Sequence, residues 1–484
     1  MHLLAAATEA PNVWWPFAVL IISLAAIIFM ITVLRVHAFL ALMLAAVLAG
    51  LLARKLPGEY GALPNDPSKE RSHWVQAVEL ATTEFGTTAG KIGLVIGLAA
   101  IIGMCLMESG AADKVVRWFL RLSGEKRAGA GIAASSYFLS IPIFFDTFFM
   151  LLLPLARAMR VRTGKDYLLY VMAICCGGTV THSLIAPHPG PLAMAESLKI
   201  DLGLTIMVGI AVGIIPTVAS WFAIKWINQR LDIPMRETPG ASIEDLKAIV
   251  EKPESELPSL GWSIAPVILP IFLISLASAF AAVKDLRINS PILYTCVEFL
   301  GNRNTALIIG AAISMWLLMR QKGFSLAKAN ELFGPPLETA GVIILITSAG
   351  GAFGLMLKNA GVGEAIQTAV AGHEVNLILL SWFVAAVIRI AQGSATVAML
   401  TTAAMVYPIM SAGSLPFHPV YVFMAIGFGA MMLSWMNDSG FWVVGRLSGF
   451  TEKETLKTWT VVVSVNSVVG LIACLLLSAL FPFA

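Results

Sequence analysis

The sequence predicts an all-α polytopic membrane protein built from two inverted repeats, with two re-entrant hairpins and two broken helices. Three observations predict this fold. Of the 484 residues, 58% are hydrophobic and only 13% are charged, and the mean hydropathy of +0.83 exceeds what a soluble domain needs. Prolines interrupt apolar segments that are otherwise long enough to cross a bilayer. The same order of segments also occurs twice along the chain.

The length of each apolar segment identifies the crossings, because a membrane-spanning helix needs about 20 predominantly apolar residues. The segment 74–90 carries Glu79 and Glu84, so we expect it to lie at the surface or to pack on the bundle. Two crossings, near 166–198 and 419–447, contain interruptions. Uninterrupted crossings are predicted near 13–34, 36–53, 91–109, 202–227, 262–283, 303–320, 338–357 and 457–481.

The apolar stretch 128–156 is predicted to form a re-entrant hairpin. It contains no Lys or Arg and only one acid, Asp146, yet clusters of basic residues lie on both sides of it. Loops rich in Lys and Arg stay in the cytoplasm, so both ends of the stretch fall on one side and the chain enters and returns. We place the tip near 140–146. An ordinary span with one misplaced basic loop is the alternative.

An internal repeat relates the two halves of the chain. Residues 88–115 align with 339–366 at an offset of 251, with glycines at matching positions. The first hairpin then corresponds to 375–404, an apolar stretch whose single charged residue is Arg389. The first broken helix corresponds to the one near 419–447, so three kinds of element recur in the same order.

Charge distribution predicts that the two repeats are inverted. By the positive-inside rule, the segment 91–109 runs into the cell and its counterpart runs outward, as in transporters with a pseudo-two-fold axis in the membrane plane. The chain is therefore divided into a first repeat at 74–227, a cytoplasmic linker at 228–261, which is rich in acids and prolines, and a second repeat at 338–484.

The first broken helix is interrupted by Pro187, Pro189, Gly190 and Pro191. Proline lacks the backbone donor and clashes with the preceding turn, so a continuous helix cannot pass through these residues. A break exposed to lipid would leave peptide groups unsatisfied, so this one must be buried in protein or line a wet cavity. Transporters bind substrates at such breaks. We expect four irregular elements to meet near the middle of the membrane, at 140–146, 179–191, 389–396 and 435–441.

Three motifs in these elements resemble the signatures of the gluconate permease (GntP) family. They are 393–398 (Gly-Ser-Ala-Thr-Val-Ala), His182 together with 187–191 (Pro-His-Pro-Gly-Pro), and 437–442 (Asn-Asp-Ser-Gly-Phe-Trp). The resemblance covers nearly the whole chain. One departure is Asp146, which follows two phenylalanines where many members of the family have glutamate.

The resemblance implies a proton symporter of a bacterial cytoplasmic (inner) membrane, and thus a secondary transporter of gluconate or a related hydroxy acid. Members also carry other sugar acids and D-serine, and glycerate is a further candidate. The wider superfamily suggests a hairpin-bearing block that slides against a scaffold. Residues 1–60 and 262–320 are then the scaffold helices and the contact of a homodimer.

Arg389 is the residue that we expect to bind the substrate's carboxylate. An ionised group in an apolar stretch is costly and usually faces a cavity or a partner, and the planar guanidinium suits a carboxylate. A structural ion pair with Asp146 or Asp438 is the alternative. Both acids are also the candidates for proton coupling, because a partly buried carboxylate can load and release a proton near working pH.

Small and hydroxyl-bearing residues at the second tip are predicted to bind the same anion. Gly393, Ser394 and Thr396 would offer peptide N–H groups and hydroxyls at a half-helix N-terminus, which favours negative charge. The alternative is that these small residues only let membrane helices pack closely.

The remaining candidate ligands come from the first tip and the two breaks. His182 and His188 could donate to polyol hydroxyls or shuttle a proton, although a structural role is the alternative for either. Ser140 and Thr181 are predicted to contact the substrate as well, and Asn437 to bind its hydroxyl groups.

Other classes of function fit the sequence poorly. The Gly-rich loop with Lys and Ser/Thr that binds nucleotides is missing, which argues against ATP-driven transport. Ser183 beside His182 does not make a nucleophile and base pair, because adjacent residues rarely have that geometry, so we expect no enzyme and no catalytic residues. The sequence calls for no cofactor or metal, and a net charge of +3 is too small to argue for nucleic acid. The predicted partners are a small carboxylate, a proton or alternatively sodium, and the lipid bilayer, and a passive channel is a further alternative.

Overall fold

The structure is a computed structural model. It describes residues 14–56, 62–63, 66–70, 72–124, 127–231, 233–236, 253–282, 291–362, 365, 368, 376–412 and 415–482. Half of the predicted linker, 228–261, therefore lies outside the described residues.

The described chain is almost entirely helical. The prediction of an all-α protein misses one small feature, an antiparallel pair of strands in the loop before the third helix, β1 (Ala62–Leu63) and β2 (Asp66–Glu70). The helices of the first half are α1 (Trp14–Thr32), α2 (Ala38–Leu52), α3 (His73–Glu108), α4 (Ala111–Ser123), α5 (Ala128–Leu139), α6 (Phe145–Thr163), α7 (Tyr167–Leu184), α8 (Pro189–Leu198) and α9 (Leu202–Asn228). Those of the second half are α10 (Leu260–Ala282), α11 (Pro291–Gly301), α12 (Arg303–Lys322), α13 (Leu326–Glu331), α14 (Gly334–Asn359), α15 (Leu377–Gln392), α16 (Ala395–Ala412), α17 (Val420–Gly429), α18 (Ser439–Ser448) and α19 (Glu452–Leu480).

Seven segments of the described chain are long and apolar enough to cross a membrane. Three predicted crossings are not among them. The helix α2 has only 15 residues, α12 carries charged residues at both ends, and the interrupted segment near 419–447 is divided into the short helices α17 and α18. The stretch 74–90 forms the first half of the 36-residue helix α3, and its buried Ala77, Leu80 and Ala81 pack on the bundle. The seven lie at Trp14–Ile31, His73–Glu108, Tyr167–Leu198, Leu202–Asn228, Leu260–Ala281, Gly334–Asn359 and Glu452–Leu480.

Helix boundaries recur between the two halves at the spacing that the sequence repeat predicts. The ends of α3 and α14, Glu108 and Asn359, are 251 positions apart. The first residues of α9 and α19, Leu202 and Glu452, are 250 positions apart, and the starts of α6 and α16 and of α8 and α18 have the same spacing. Side-chain caps help to set the starts of α9 and α19, with Asp201 and Thr451 accepting backbone N–H groups.

The helices α3 and α14, which the predicted repeat pairs, pack along each other. A Cβ at Gly351 would meet Thr88, and one at Gly97 would meet Leu337. Positions rise along α3 as they fall along α14, so the two helices run antiparallel. Two corresponding helices thus point in opposite directions through the bundle.

The C-terminus of α18 ties the two halves together. Its last carbonyl oxygens accept hydrogen bonds from the first half of the chain, with Arg157 Nη2 donating to Leu447 at 2.8 Å and Tyr167 to Ser448 at 2.9 Å. Arg236, at the start of the linker, donates to Gly449 at 2.7 Å. The last carbonyls of a helix have no partner within it, so these side chains satisfy them.

The far end of the linker is fixed to α4. Glu254 accepts a hydrogen bond from Arg121 and lies 3.5 Å from Lys114. The hydrogen bond from Arg121 holds the pKa of the Glu254 carboxyl below its usual value. The linker is therefore anchored at both of its described ends.

Candidate functional site

A cavity of about 470 Å³ lies where the four irregular elements meet. The first tip, between α5 and α6, contributes 144–146, and the first break, between α7 and α8, contributes Thr179, His182 and Ser183. The second tip, between α15 and α16, contributes Arg389 and 392–396, and the second break, between α17 and α18, contributes 437–440. Thr339, Ile343, Ile346, Ala430, Met431, Trp459 and Val463 complete the wall.

Three of the predicted substrate ligands lie behind this wall. Ser140 and Thr181 share a hydrogen bond through their side chains, and His188 Nε2 donates to the carbonyl oxygen of Ser140. All three residues are buried, and their polar groups satisfy one another instead of facing the cavity. They join the first tip to the first break and support His182, whose ring lies edge-on to His188 at 4.6 Å between centroids.

The prolines of the first break separate α7 from α8, as their lack of a backbone donor predicts. The helix α7 ends at Leu184, and Pro189, Gly190 and Pro191 form the first turn of α8, where missing N–H groups leave nothing unsatisfied. Pro187 lies in the break itself and follows a cis peptide bond. A Cβ at Gly190 would lie 2.3 Å from Met399 Cε, so this turn packs closely on α16 of the other half.

The second tip and the second break are also joined. Asn437 Nδ2 donates to the carbonyl oxygen of Ile390 at 2.8 Å, and Trp435 Nε1 donates to the same oxygen at 3.0 Å. Gly393 has φ of +88° and ends α15. A Cβ there would lie 2.1 Å from the carbonyl oxygen of Asn437, so only glycine fits. Gly393 and Asn437 thus hold the tip against the break, although both also line the cavity.

Gly393→Ala is expected to destabilise the protein strongly. The left-handed conformation alone costs about 1–2 kcal/mol for an L-residue, and the methyl group also collides with backbone that has no room to move. The thermal unfolding of purified protein measures the loss. Gly341→Ala in α14 is the matched control, because nothing lies within 4 Å of its Cβ and alanine favours a helix. Equal unfolding temperatures for both variants and the wild type would contradict the close approach.

Arg389 and Asp438 form a buried ion pair inside the cavity wall. Arg389 Nη2 donates to Asp438 Oδ2, which also accepts from the hydroxyl of Ser434. Asp438 Oδ1 accepts the backbone N–H of Gly440 at 3.1 Å and thereby caps α18. The carboxylate of Asp438 therefore accepts from three donors, one of them charged.

The guanidinium of Arg389 keeps hydrogen-bonding capacity to spare. Its Nε and Nη1 atoms are buried and have no hydrogen-bond partner within the described part of the chain. The residue is 5% exposed and lines the cavity. A buried guanidinium with unsatisfied donors is costly, so these atoms can bind an anion that enters the cavity.

Asp146 is placed very differently from Asp438. It lies in the first turn of α6, lines the cavity and is exposed. No ion pair to it occurs among the described residues. It is therefore a carboxylate that faces the cavity without a fixed cation beside it.

Three helices begin at the cavity wall. Ser394 caps α16 by accepting the N–H of Val397 at 3.3 Å, and Thr396 follows in the first turn. The first residues of α6 and α18 lie at the wall as well. The N-terminal N–H groups of a helix lack partners within it and carry partial positive charge, so this arrangement favours an anion.

Three residues at or next to the cavity were not predicted from the sequence. Gln392 lies one helical turn after Arg389 and is 7% exposed, and its Oε1 has no partner in the described chain. The sequence already placed it within the second tip, 389–396, and that position could have identified it. Ser434 and Trp459, which hydrogen-bond to each other at 2.6 Å, hold Asp438 in place, and nothing in the sequence singled them out. The described residues contain no cluster of His, Cys, Asp and Glu that could hold a metal ion.

Comparison with known proteins identifies the family. The model of the GntP family permeases matches residues 15–480. The chain belongs to the GntP permease family. The resemblance seen in the sequence motifs is thereby confirmed, and the permease is a multi-pass protein of the inner membrane and not an enzyme.

Relatives and a solved structure agree with this assignment. The permease is 32% identical over 461 residues to a gluconate permease of Pseudomonas aeruginosa, with 95% of this chain and 96% of the relative covered. It is 31% identical over 394 residues to the Gnt-II system L-idonate transporter of Escherichia coli K12, with 81% and 87% covered. The crystal structure of the Alcanivorax borkumensis YdaH transporter matches with a TM-score of 0.58 at 13% identity and covers 92% of this chain and 97% of that one. That likeness shows a shared fold.

Proposed function

We propose that the permease imports gluconate or a related sugar acid together with a proton. The observation that carries this proposal is the buried guanidinium of Arg389, whose Nε and Nη1 atoms have no partner in the described chain and lie at a cavity among four interrupted elements. A carboxylate is the ligand that such donors prefer. Relatives that are a gluconate permease and an L-idonate transporter point to a hydroxylated carboxylate.

The charges at the cavity favour uptake of a proton with the substrate. Arg389 is neutralised by Asp438, so a substrate anion meets no uncompensated cation, while Asp146 adds a negative charge of its own. Two like charges about 6 Å apart repel by about 3 kcal/mol at an effective dielectric constant of 20. Protonation of Asp146 removes this repulsion, so the anion and the proton bind best together. Sodium would balance the charge in the same way.

Alternating access fits an inverted repeat. The boundaries of corresponding helices recur at a constant spacing, and α3 runs antiparallel to its counterpart α14. In each half, hydrogen bonds join the hairpin tip to the broken helix. These observations support two oppositely oriented units, each with a re-entrant hairpin and a broken helix, that form one binding site between them.

The scaffold lies at the perimeter in this proposal. Only 17% of the apolar stretch of α1 and 22% of that of α10 is buried. Lipid or a second copy of the chain therefore covers the exposed faces of these two helices. We propose that they contribute to a homodimer, which cross-linking of cysteine variants in native membranes would detect.

Uptake into proteoliposomes tests the proposed function. We expect saturable accumulation of labelled gluconate that follows an inward proton gradient and persists when sodium is replaced by choline. L-Idonate should compete, and D-serine and glycerate serve as probes of the alternative substrates. Accumulation driven only by a sodium gradient would overturn proton coupling. Gluconate flux that neither saturates nor accumulates would indicate a channel.

A further inference from the structure

We propose that Gln392 and His182 form a subsite for the hydroxyl group on carbon 2 of the substrate, so that the permease selects 2-hydroxy carboxylates. This inference rests on the proposed function, because it takes the carboxylate to be bound by Arg389. It concerns the group next to that carboxylate.

The position of Gln392 follows from the helix. Arg389 and Gln392 lie three residues apart in the last turns of α15, and side chains at this spacing are neighbours on one face, with about 5–6 Å between their Cβ atoms. Both residues line the cavity. A carboxylate on Arg389 therefore places its adjacent carbon within reach of the Gln392 amide.

The unsatisfied atoms define the chemistry of the subsite. Gln392 Oε1 is buried without a partner in the described chain, and it can only accept a hydrogen bond. His182 Nδ1 is also buried without a partner there, and the residue lines the same cavity as Arg389 and Gln392. A hydroxyl group can donate to the amide oxygen and accept from the imidazole at the same time. A methylene group at carbon 2 would leave both atoms unpaired.

The orientation of His182 is supported from behind the wall. His188 donates through Nε2 to Ser140 and presents its ring to the edge of His182. This contact explains why a second histidine occupies the break although it does not line the cavity. His188 is a positioning residue in this scheme.

The test compares two ligands that differ only at carbon 2. Calorimetry on the purified permease measures the dissociation constants of gluconate and 2-deoxygluconate for the wild type and for Gln392→Leu. We expect the wild type to bind gluconate about tenfold more tightly, because a buried acceptor without a partner costs about that much affinity. Gln392→Leu should weaken gluconate binding and leave only the part of the preference that His182 contributes.

Further variants separate this inference from the proposed function. Gln392→Asn retains an uncharged amide acceptor and should keep more of the preference for gluconate than Gln392→Leu does, whereas Arg389→Lys should weaken both ligands alike and preserve their ratio. Gln229→Leu, at an exposed position away from the cavity, controls for the substitution itself, and thermal unfolding checks the fold of each variant. A wild type that binds both ligands equally, or a Gln392→Leu variant that keeps the full preference, overturns the subsite. A wild type that binds neither ligand overturns the proposed function and the subsite with it.

Discussion

Replacing Arg389 by lysine is expected to raise the KM for gluconate by about 10- to 100-fold, the range that loss of a hydrogen bond to a charged group produces, with little change in kcat. The guanidinium already donates through Nη2 to Asp438 and has Nε and Nη1 to spare. A lysine ammonium is a compact point charge that cannot reproduce this fork. It can hold either Asp438 or the substrate well, but not both.

Initial rates of gluconate uptake into proteoliposomes over a range of concentrations separate the two kinetic parameters. Arg127→Lys is the matched control, because Arg127 is exposed and outside the cavity wall. A variant with unchanged KM at equal expression would remove Arg389 from the carboxylate site. A loss confined to kcat would instead indicate a role in the conformational change.

Asp146→Asn is expected to abolish uphill accumulation of gluconate while leaving exchange across the membrane intact. The amide mimics the protonated acid and cannot release a proton, so the substrate binds without one and the proton gradient no longer drives its uptake. The accumulation ratio should fall to about one at zero membrane potential, whereas counterflow of labelled against unlabelled gluconate should continue.

Two further variants test whether Asp146 is the specific carrier of the proton. Glu331→Gln, an exposed acid at the end of α13, should accumulate gluconate as the wild type does. Asp438→Asn removes the partner of a buried arginine, a change that typically costs about 3–5 kcal/mol, so it should lower stability and impair exchange as well. If Asp146→Asn accumulates substrate normally, the proton is carried elsewhere. If Asp438→Asn alone loses accumulation but keeps exchange, Asp438 is the carrier.

Much of the architecture follows from the sequence because it depends on local chemistry. The composition requires a membrane, since a bundle with so many exposed apolar side chains is stable only in lipid. Proline at 187, 189 and 191 excludes a continuous helix there, and the structure ends α7 at Leu184 and begins α8 at Pro189. The predicted repeat pairs Gly110 with Gly361, and these glycines follow the ends of α3 and α14 with nearly equal φ of +76° and +77°.

Boundaries that depend on packing were less predictable. Glu79 and Glu84 suggested a segment at the surface or packed on the bundle, separate from the crossing at 91–109, yet α3 runs through both. Their side chains lie on parts of the helix that are exposed or half-buried, and 36 residues at 1.5 Å each extend about 54 Å, well beyond a hydrocarbon core of about 30 Å. A helix longer than the membrane can carry acids where it leaves the apolar core.

The sequence by itself determined that Arg389 must face a cavity or a counter-ion, but only the tertiary structure decided that it does both, with Asp438 as the counter-ion while Asp146 faces the cavity. Burial makes an unpaired charge costly wherever it lies, so the need for a counter-ion follows from one apolar stretch. Which acid supplies it depends on the packing of elements from distant parts of the chain. The same packing turned Ser140, Thr181 and His188 away from the cavity and Gln392 toward it, because hydrogen-bond partners are set by distance in space and not by spacing in sequence.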